Sequence, residues 1–274
     1  APASFGRAFA VGIVLNLAFV AVEAVYGVIA GSMALVADAG LTAETILYWL
    51  NEAEVPPSGF TRDLDVASLT SHPVSTGKIK EGFVNYVHAL ERLEEALPAD
   101  RLLVTDGGRF MTEVWCRISA PNPQSFVCTV NFGAIGLGLQ EAIGAGLAAP
   151  DRPVVLFCGD GGFMMNSQEM ETAVRLGLNL TVLILNDSSY GMIRWKQANM
   201  GFDDWGLTYG NPDFVKYAES YGAFGHRVES AAHLKELLQH TLNTPGVHLI
   251  DCPVDYTEND QILNKDIKRL SKEL

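Results

Sequence analysis

Asp160 and Asp187 are the residues whose surroundings most clearly imply chemistry. Asp160 closes the run Val154-Val155-Leu156-Phe157-Cys158-Gly159-Asp160-Gly161-Gly162, in which a continuous apolar stretch opens into glycines. Asp187 follows a second apolar stretch, Leu180 to Leu185, in Asn186-Asp187-Ser188-Ser189-Tyr190-Gly191. Brought together, two carboxylates form a hard oxygen donor set that suits Mg²⁺, an octahedral ion that commonly joins carboxylates to a diphosphate. Asp160, Asp187 and the backbone carbonyl of Ser189 would be the protein's share of such a site. Gly159, Gly161 and Gly162 would let the backbone approach a ligand without side-chain obstruction.

Bringing the two carboxylates together requires two buried strands and a helix between them. Short apolar runs at Leu102 to Thr105, Phe126 to Val130, Val154 to Cys158, Leu180 to Leu185 and His248 to Val254 predict strands. Gln140 to Ala148, Ser167 to Leu176, Pro212 to Tyr221 and Ala231 to Leu242 predict helices, and Val87, Leu90, Leu93 and Leu97 mark one face of a further helix that Pro98 ends. Asn166 stands at an N-cap position with Glu169 three residues later, the pattern of a capping box. Strands alternating with helices predict an α/β fold, a doubly wound parallel sheet with helices on both faces. In a right-handed strand-helix-strand unit the C-terminal strand ends lie side by side, so Asp160 and Asp187 can converge on one ion.

The 274 residues, 48% hydrophobic and 19% charged, can bury one large core. A formal net charge of −13 excludes a general nucleic-acid surface, because nothing would neutralise a phosphate backbone. Cys116, Cys128, Cys158 and Cys252 are widely spaced, so neither a disulfide framework nor a zinc site is implied, and reduced thiols in a cytoplasmic protein are expected. Ala8 to Ala37 is nearly continuously apolar, long enough for a spanning helix and the start of another, and reads either as a membrane hairpin or as a buried helical pair. Residues 1–50 are accordingly read as an apolar helical segment, 51–77 as a linker rich in breakers such as Pro56-Pro57-Ser58-Gly59, and 78–274 as the α/β domain. The sequence opens on Ala1 rather than Met, which implies a processed, trimmed or partial chain.

Gly159-Asp160-Gly161, followed after a helix and a strand by Asn186-Asp187, resembles the signature of thiamine-diphosphate enzymes. The resemblance implies the thiamine-diphosphate-binding fold, with Mg²⁺ on Asp160, Asp187 and Ser189. It also implies cofactor contacts from Gly107, Gly133, Ile135, Gly159, Gly161, Gly162, Asn186, Tyr190, Gly191 and Met192. Within Phe132-Gly133-Ala134-Ile135-Gly136-Leu137-Gly138-Leu139, Ile135 occupies the position of the apolar residue under the bent cofactor, and reads equally as ordinary core. Thr105-Asp106-Gly107-Gly108-Arg109-Phe110 matches the diphosphate-side loop in part, since many relatives carry Gln-His where Arg109-Phe110 stands. Arg109 is open to a phosphate role or a surface one.

Tyr190-Gly191-Met192-Ile193-Arg194-Trp195-Lys196-Gln197, Asn199-Met200-Gly201-Phe202 and Tyr209-Gly210-Asn211-Pro212-Asp213-Phe214 are similar to the catabolic, FAD-independent acetolactate synthases, and Pro253-Val254-Asp255-Tyr256, Asn259-Asp260 and Asn264-Lys265-Asp266 continue the likeness. The implied reaction condenses two pyruvates into 2-acetolactate with loss of CO₂, the cofactor's C2 carbanion supplying the chemistry, and the implied substrate class is pyruvate or another 2-oxo acid. Met192 and Trp195 are candidates for the acceptor pocket or for plain packing. Relatives place the aminopyrimidine against a carboxylate from a separate pyrimidine-binding domain. No matching carboxylate is found here, so a pyrimidine-domain chain or a homo-oligomer is the expected partner. A 2-oxo-acid decarboxylase half and a membrane-anchored, non-catalytic cofactor-binding protein are the alternatives. Phe5 to Gly40 resembles the first membrane helix and turn of cation diffusion facilitators, but Leu41 and Thr45 replace that family's metal-binding His and Asp. A chimeric reading frame is the simplest expectation for this segment.

Overall fold

The computed structural model describes residues 79–128 and 133–257. The apolar run at 8–37, the linker, the domain boundaries expected near residues 50 and 77, and Asn259-Asp260 with Asn264-Lys265-Asp266 lie outside the described residues, as does the segment resembling cation diffusion facilitators. Among the described residues no helix is long and apolar enough to cross a membrane.

The chain runs β1 (Val84–Asn85), α1 (Tyr86–Ala96), β2 (Leu102–Thr105), α2 (Met111–Arg117), β3 (Phe126–Cys128), α3 (Gly138–Ala148), β4 (Val154–Gly159), α4 (Asp160–Met165), α5 (Met170–Arg175), β5 (Leu180–Asn186), α6 (Gly191–Asn199), α7 (Phe214–Ser220), β6 (Phe224–Arg227), α8 (Ala231–Asn243) and β7 (Val247–Asp255). All described strand pairings are parallel, in the order β1-β7-β5-β4-β2-β3, and β6 also pairs with β7. Apolar side chains cover both faces of the sheet. Leu103, Val155, Phe157, Leu183 and Ile250 face the cluster that includes Leu90 and Leu93 of α1 and Leu234 and Leu238 of α8. Val104, Leu156, Val182, Ile184 and Leu249 face the cluster that includes Ile143 of α3, Met170 of α5 and Phe214 of α7. A strand buried on both faces has no polar alternation, which is why β4 and most of β5 read as apolar runs, whereas β7, equally buried, carries His248 and Asp251 within it.

The caps explain several boundaries. Asn85 accepts a bond from the His88 amide at the start of α1, and Ser230 accepts one from the His233 amide at the start of α8. The expected capping box is corrected: Asn166 makes no side-chain cap bond, and its Nδ2 donates to the Gly136 carbonyl at 2.7 Å instead. The helix expected from Ser167 therefore begins as a 3₁₀ turn, Ser167–Glu169, before α5. The glycine-rich turn expected after β4 is helical, with Gly159 as the N-cap of α4.

The order of the strands fixes where a ligand can bind. From β2 the chain goes to β3 on one side, then crosses to β4 on the other. Connections leaving β2 and β4 in opposite directions open a crevice beyond their C-terminal ends, the switch point of a doubly wound sheet.

Candidate functional site

A cavity of about 660 Å³ occupies that crevice. Its walls come from the loop after β2 (Gly107, Gly108, Arg109), the segment before α3 (Gly133, Ala134, Ile135), the β4–α4 junction (Gly159, Asp160, Gly161, Gly162) and the segment after β5 (Asp187, Ser189, Tyr190, Gly191, Met192). Of the residues anticipated from sequence, Gly107, Gly133, Ile135, Gly159, Gly161, Gly162, Tyr190, Gly191 and Met192 line it, together with Asp160, Asp187 and Ser189. Asn186 is the exception. It is buried in the last position of β5 and turns its side chain to Asp251 and Ser188, away from the cavity wall. Ile135 lines the cavity and joins neither core cluster. Trp195 lines a smaller neighbouring cavity of about 370 Å³ that shares Arg109 and Asp187.

The carboxylates are delivered by strand register. β4 and β5 pair with Gly159 opposite Leu185, so Asp160 and Asp187 both emerge at the same end of neighbouring strands. Burial raises the pKa of Asp160, opposed by the hydrogen bond from Asn211 Nδ2 to its Oδ2 at 2.7 Å. Burial, and then the negative charge of Asp160, push Asp187 up to about 6. A buried and a half-buried carboxylate, both with pKa values raised by desolvation, define a place where a cation is favourable. The Ser189 hydroxyl donates to Asp187 Oδ2 at 2.9 Å, and the preceding Ser188 holds a left-handed φ of 54°, which sets the turn after β5.

Two wall glycines stand where other residues approach the backbone closely. A Cβ on Gly161 would stand 2.5 Å from the Tyr209 hydroxyl, and one on Gly162 would stand 2.5 Å from Asp106 Oδ2. Asp106 escaped the sequence reading. Its carboxylate accepts the Gly136 amide at 2.9 and 3.0 Å and the Gly107 amide at 2.7 Å, while Asn166 holds the Gly136 carbonyl. The turn carrying Ile135 is thus clamped from both sides. Asn211 was also missed, as a residue far along the chain whose amide reaches Asp160. Arg109 is not a plain surface residue: its guanidinium stacks over Tyr256 at 4.7 Å, its Nη2 donates to the Tyr256 carbonyl at 3.2 Å, and its charge acts on Asp187.

Residues 106–252 match the family described as thiamine pyrophosphate enzyme, C-terminal TPP binding domain. The chain belongs to that family, and thiamine diphosphate (thiamine pyrophosphate) is its cofactor. It is 40% identical over 151 residues to acetolactate synthase of Bacillus subtilis (strain 168), covering 55% of this chain and 26% of that protein. To the acetolactate synthase isozyme 2 large subunit of Escherichia coli (strain K12) it is 34% identical over 173 residues, 62% of this chain and 31% of the other. The structure of Rhodococcus jostii RHA1 thiamine diphosphate-dependent 4-hydroxybenzoylformate decarboxylase superposes with a TM-score of 0.62 at 25% identity, over 69% of this chain and 35% of that one. The matched region therefore spans about a third or less of each of these proteins.

The residues present fit the diphosphate end of the cofactor. The cavity wall carries the carboxylates of Asp160 and Asp187 and neither cysteine nor histidine, although no group of three or more His, Cys, Asp or Glu side chains able to hold a metal occurs among the described residues. Backbone at Gly107, Gly161 and Gly162 lines the cavity at points where a Cβ would run into neighbouring protein atoms. Asn211 Oδ1 adds a buried acceptor without a hydrogen-bond partner beside the carboxylate that its Nδ2 contacts.

Proposed function

We propose that this domain anchors thiamine diphosphate through Mg²⁺ held by Asp160, Asp187 and the Ser189 carbonyl, and serves a 2-oxo-acid enzyme of the acetolactate synthase type. The observation that carries the metal site is the delivery of two carboxylates, Asp160 buried and Asp187 half-buried, from the ends of β4 and β5 into a glycine-walled cavity. Mg²⁺ accepts such an oxygen set together with diphosphate oxygens and water. The substrate assignment rests on the acetolactate synthase relatives and on the likeness of residues 190–214 to the catabolic, FAD-independent type.

When bound, thiamine diphosphate supplies the carbanion and the electron sink for condensing two pyruvates to 2-acetolactate with loss of CO₂. The chain's own part is positioning. Gly107, Gly161, Gly162 and Gly191 admit the diphosphate close to the backbone. Ile135, on its clamped turn, supports the middle of the cofactor, and Met192 and Tyr190 wall the side towards α6. The proton relay to the aminopyrimidine is assigned to a carboxylate from a pyrimidine-binding domain, on a separate chain or on another subunit of an oligomer. Cys128, Cys158 and Cys252 are free, which fits a reducing cytoplasm. Residues 78–274 are assigned to the cofactor domain, with 51–77 as its linker.

The assignment is tested by assaying pyruvate consumption and acetolactate formation with the purified chain, alone and with a pyrimidine-binding domain added in trans. Negligible turnover alone and acetolactate on addition are expected. Robust acetolactate formation by the chain alone would refute the divided site, and carbonyl products without acetolactate on addition would favour a decarboxylase.

A further inference from the structure

Asn186 ends β5 beside the metal-binding segment yet does not line the cavity. Its Nδ2 donates to Asp251 Oδ1 at 2.9 Å, and its Oδ1 accepts from Asn211 Nδ2 at 3.1 Å and from the Ser188 amide at 3.2 Å. Asn211 Nδ2 also donates to Asp160 Oδ2 at 2.7 Å. Asp251 lies on β7, only 1% exposed, and its Oδ2 is paired with the half-exposed Arg227 of β6. An unbroken polar chain thus runs from Arg227 through Asp251, Asn186 and Asn211 to Asp160.

Donor and acceptor roles along this chain are forced. A carboxylate accepts only, so Asp251 fixes the Asn186 amide with its NH₂ towards β7 and its oxygen towards Asn211 and Ser188. That oxygen and Asp160 then take the two hydrogens of the Asn211 NH₂ group. The same oxygen holds the Ser188 amide in its left-handed turn, from which Ser189 follows. One amide therefore governs both arms of the metal site: the rotation of the Asp160 carboxylate and the turn that presents the Ser189 carbonyl. Outer hydrogen-bond partners of this kind orient ligands and tune metal affinity.

We propose that Asn186, Asn211 and Asp251 are positioning residues for the cation, with Asp251 and Arg227 as the fixed end of the chain. The proposal rests on the assignment of Asp160, Asp187 and Ser189 as the Mg²⁺ site. A tightly positioned set favours Mg²⁺, which demands near-octahedral geometry, over the larger and more tolerant Ca²⁺.

The test is calorimetric titration of the full chain with thiamine diphosphate at graded Mg²⁺ or Ca²⁺, for wild type, Asn211→Ala, Asn186→Ala and Asp251→Asn, with melting temperatures measured in parallel. Each variant is expected to need about 10- to 100-fold more Mg²⁺, with a smaller change for Ca²⁺. A merely structural role would lower the melting temperature and leave the Mg²⁺ requirement and the Mg²⁺-to-Ca²⁺ preference of the folded protein unchanged. That result would overturn the proposal. Asn211 is only partly buried on a loop, so Asn211→Ala decides the matter should Asp251→Asn fail to fold. Metal-independent cofactor binding by wild type would instead remove the Mg²⁺ site itself, and the proposal with it.

Discussion

At the scale of single residues, the proposed metal site rests on two carboxylates whose pKa values burial raises. Asp160→Ala should abolish Mg²⁺-dependent thiamine diphosphate binding, because Asp187 alone cannot replace a pair, whereas Cys158→Ala, whose thiol is fully buried in the core beneath, should bind as wild type. Calorimetry on the two variants checks this, and equal affinity for wild type and Asp160→Ala would contradict the metal assignment. Because Asp187 is raised from 3.8 to about 6, chiefly by burial and then by Asp160, Mg²⁺ must compete with a proton on it below about pH 6. Mg²⁺ affinity should therefore fall as pH drops through that value, and the step should vanish in Asp187→Asn. The sign for folding is the reverse. The cation-free fold binds more protons than the unfolded chain between 3.8 and about 6, so the Asp187 contribution to stability is full below that window and is lost as pH rises through it. Asp160, Asp187 and the glycines were legible in the sequence because they stand together in two short motifs at strand ends. Asn211 and Asp251 were not, because their roles come from contacts 51 and 65 residues away along the chain, and no local spacing encodes such contacts.

At the scale of elements, the close approaches around the cavity make some glycines irreplaceable and leave others free. Gly161→Ala would drive a methyl group against the Tyr209 hydroxyl and the Tyr190 ring, so it should cost about 1–3 kcal/mol in stability and weaken cofactor binding. Gly144, inside α3 with open space at its Cβ, should gain about 0.5–1 kcal/mol on substitution by Ala. Chemical denaturation of both variants checks the contrast, and equal effects would show that the Gly161 contact is not close. The edge of the sheet carries a second expectation. His226 Nε2 and His248 Nδ1 are 3.1 Å apart across β6 and β7, and His248 Nε2 lies 2.9 Å from the Thr244 carbonyl oxygen. Burial, with added repulsion from the neighbouring His240, holds both imidazoles below the ordinary value of 6.5. The unfolded chain then binds more protons, so stability present above pH 6.5 is lost as pH falls through the folded values. The melting temperature should drop on acidification below 6.5, and less so in His226→Gln; parallel pH profiles would contradict it. β4, β5 and α1 were legible because burial leaves apolar runs or a clean helical stripe, and β7 because Val247, Leu249, Ile250, Cys252 and Val254 outweigh the polar residues among them. β6 and α6 were not: β6 carries exposed or half-exposed side chains throughout, and α6 buries none of its residues, so neither shows a hydrophobic period.

At the scale of the whole domain, the parallel strands among the described residues place the walls of the cavity at their C-terminal end. The doubly wound class followed from the alternation of strands and helices, and with it the emergence of Asp160 and Asp187 at the same end of neighbouring strands. The strand order did not follow from that alternation. The crossing from β3 back to β4 beside β2 depends on which surfaces pack best once the chain is folded, and it is what makes the crevice a switch point.

The most direct measurement is a calorimetric titration of the purified chain with thiamine diphosphate, with and without Mg²⁺. Saturable binding that requires Mg²⁺ is the expected result, and it would place the cation between Asp160, Asp187 and the diphosphate as inferred. Binding of equal affinity in the presence of a chelator, or no binding at any Mg²⁺ concentration, would contradict it.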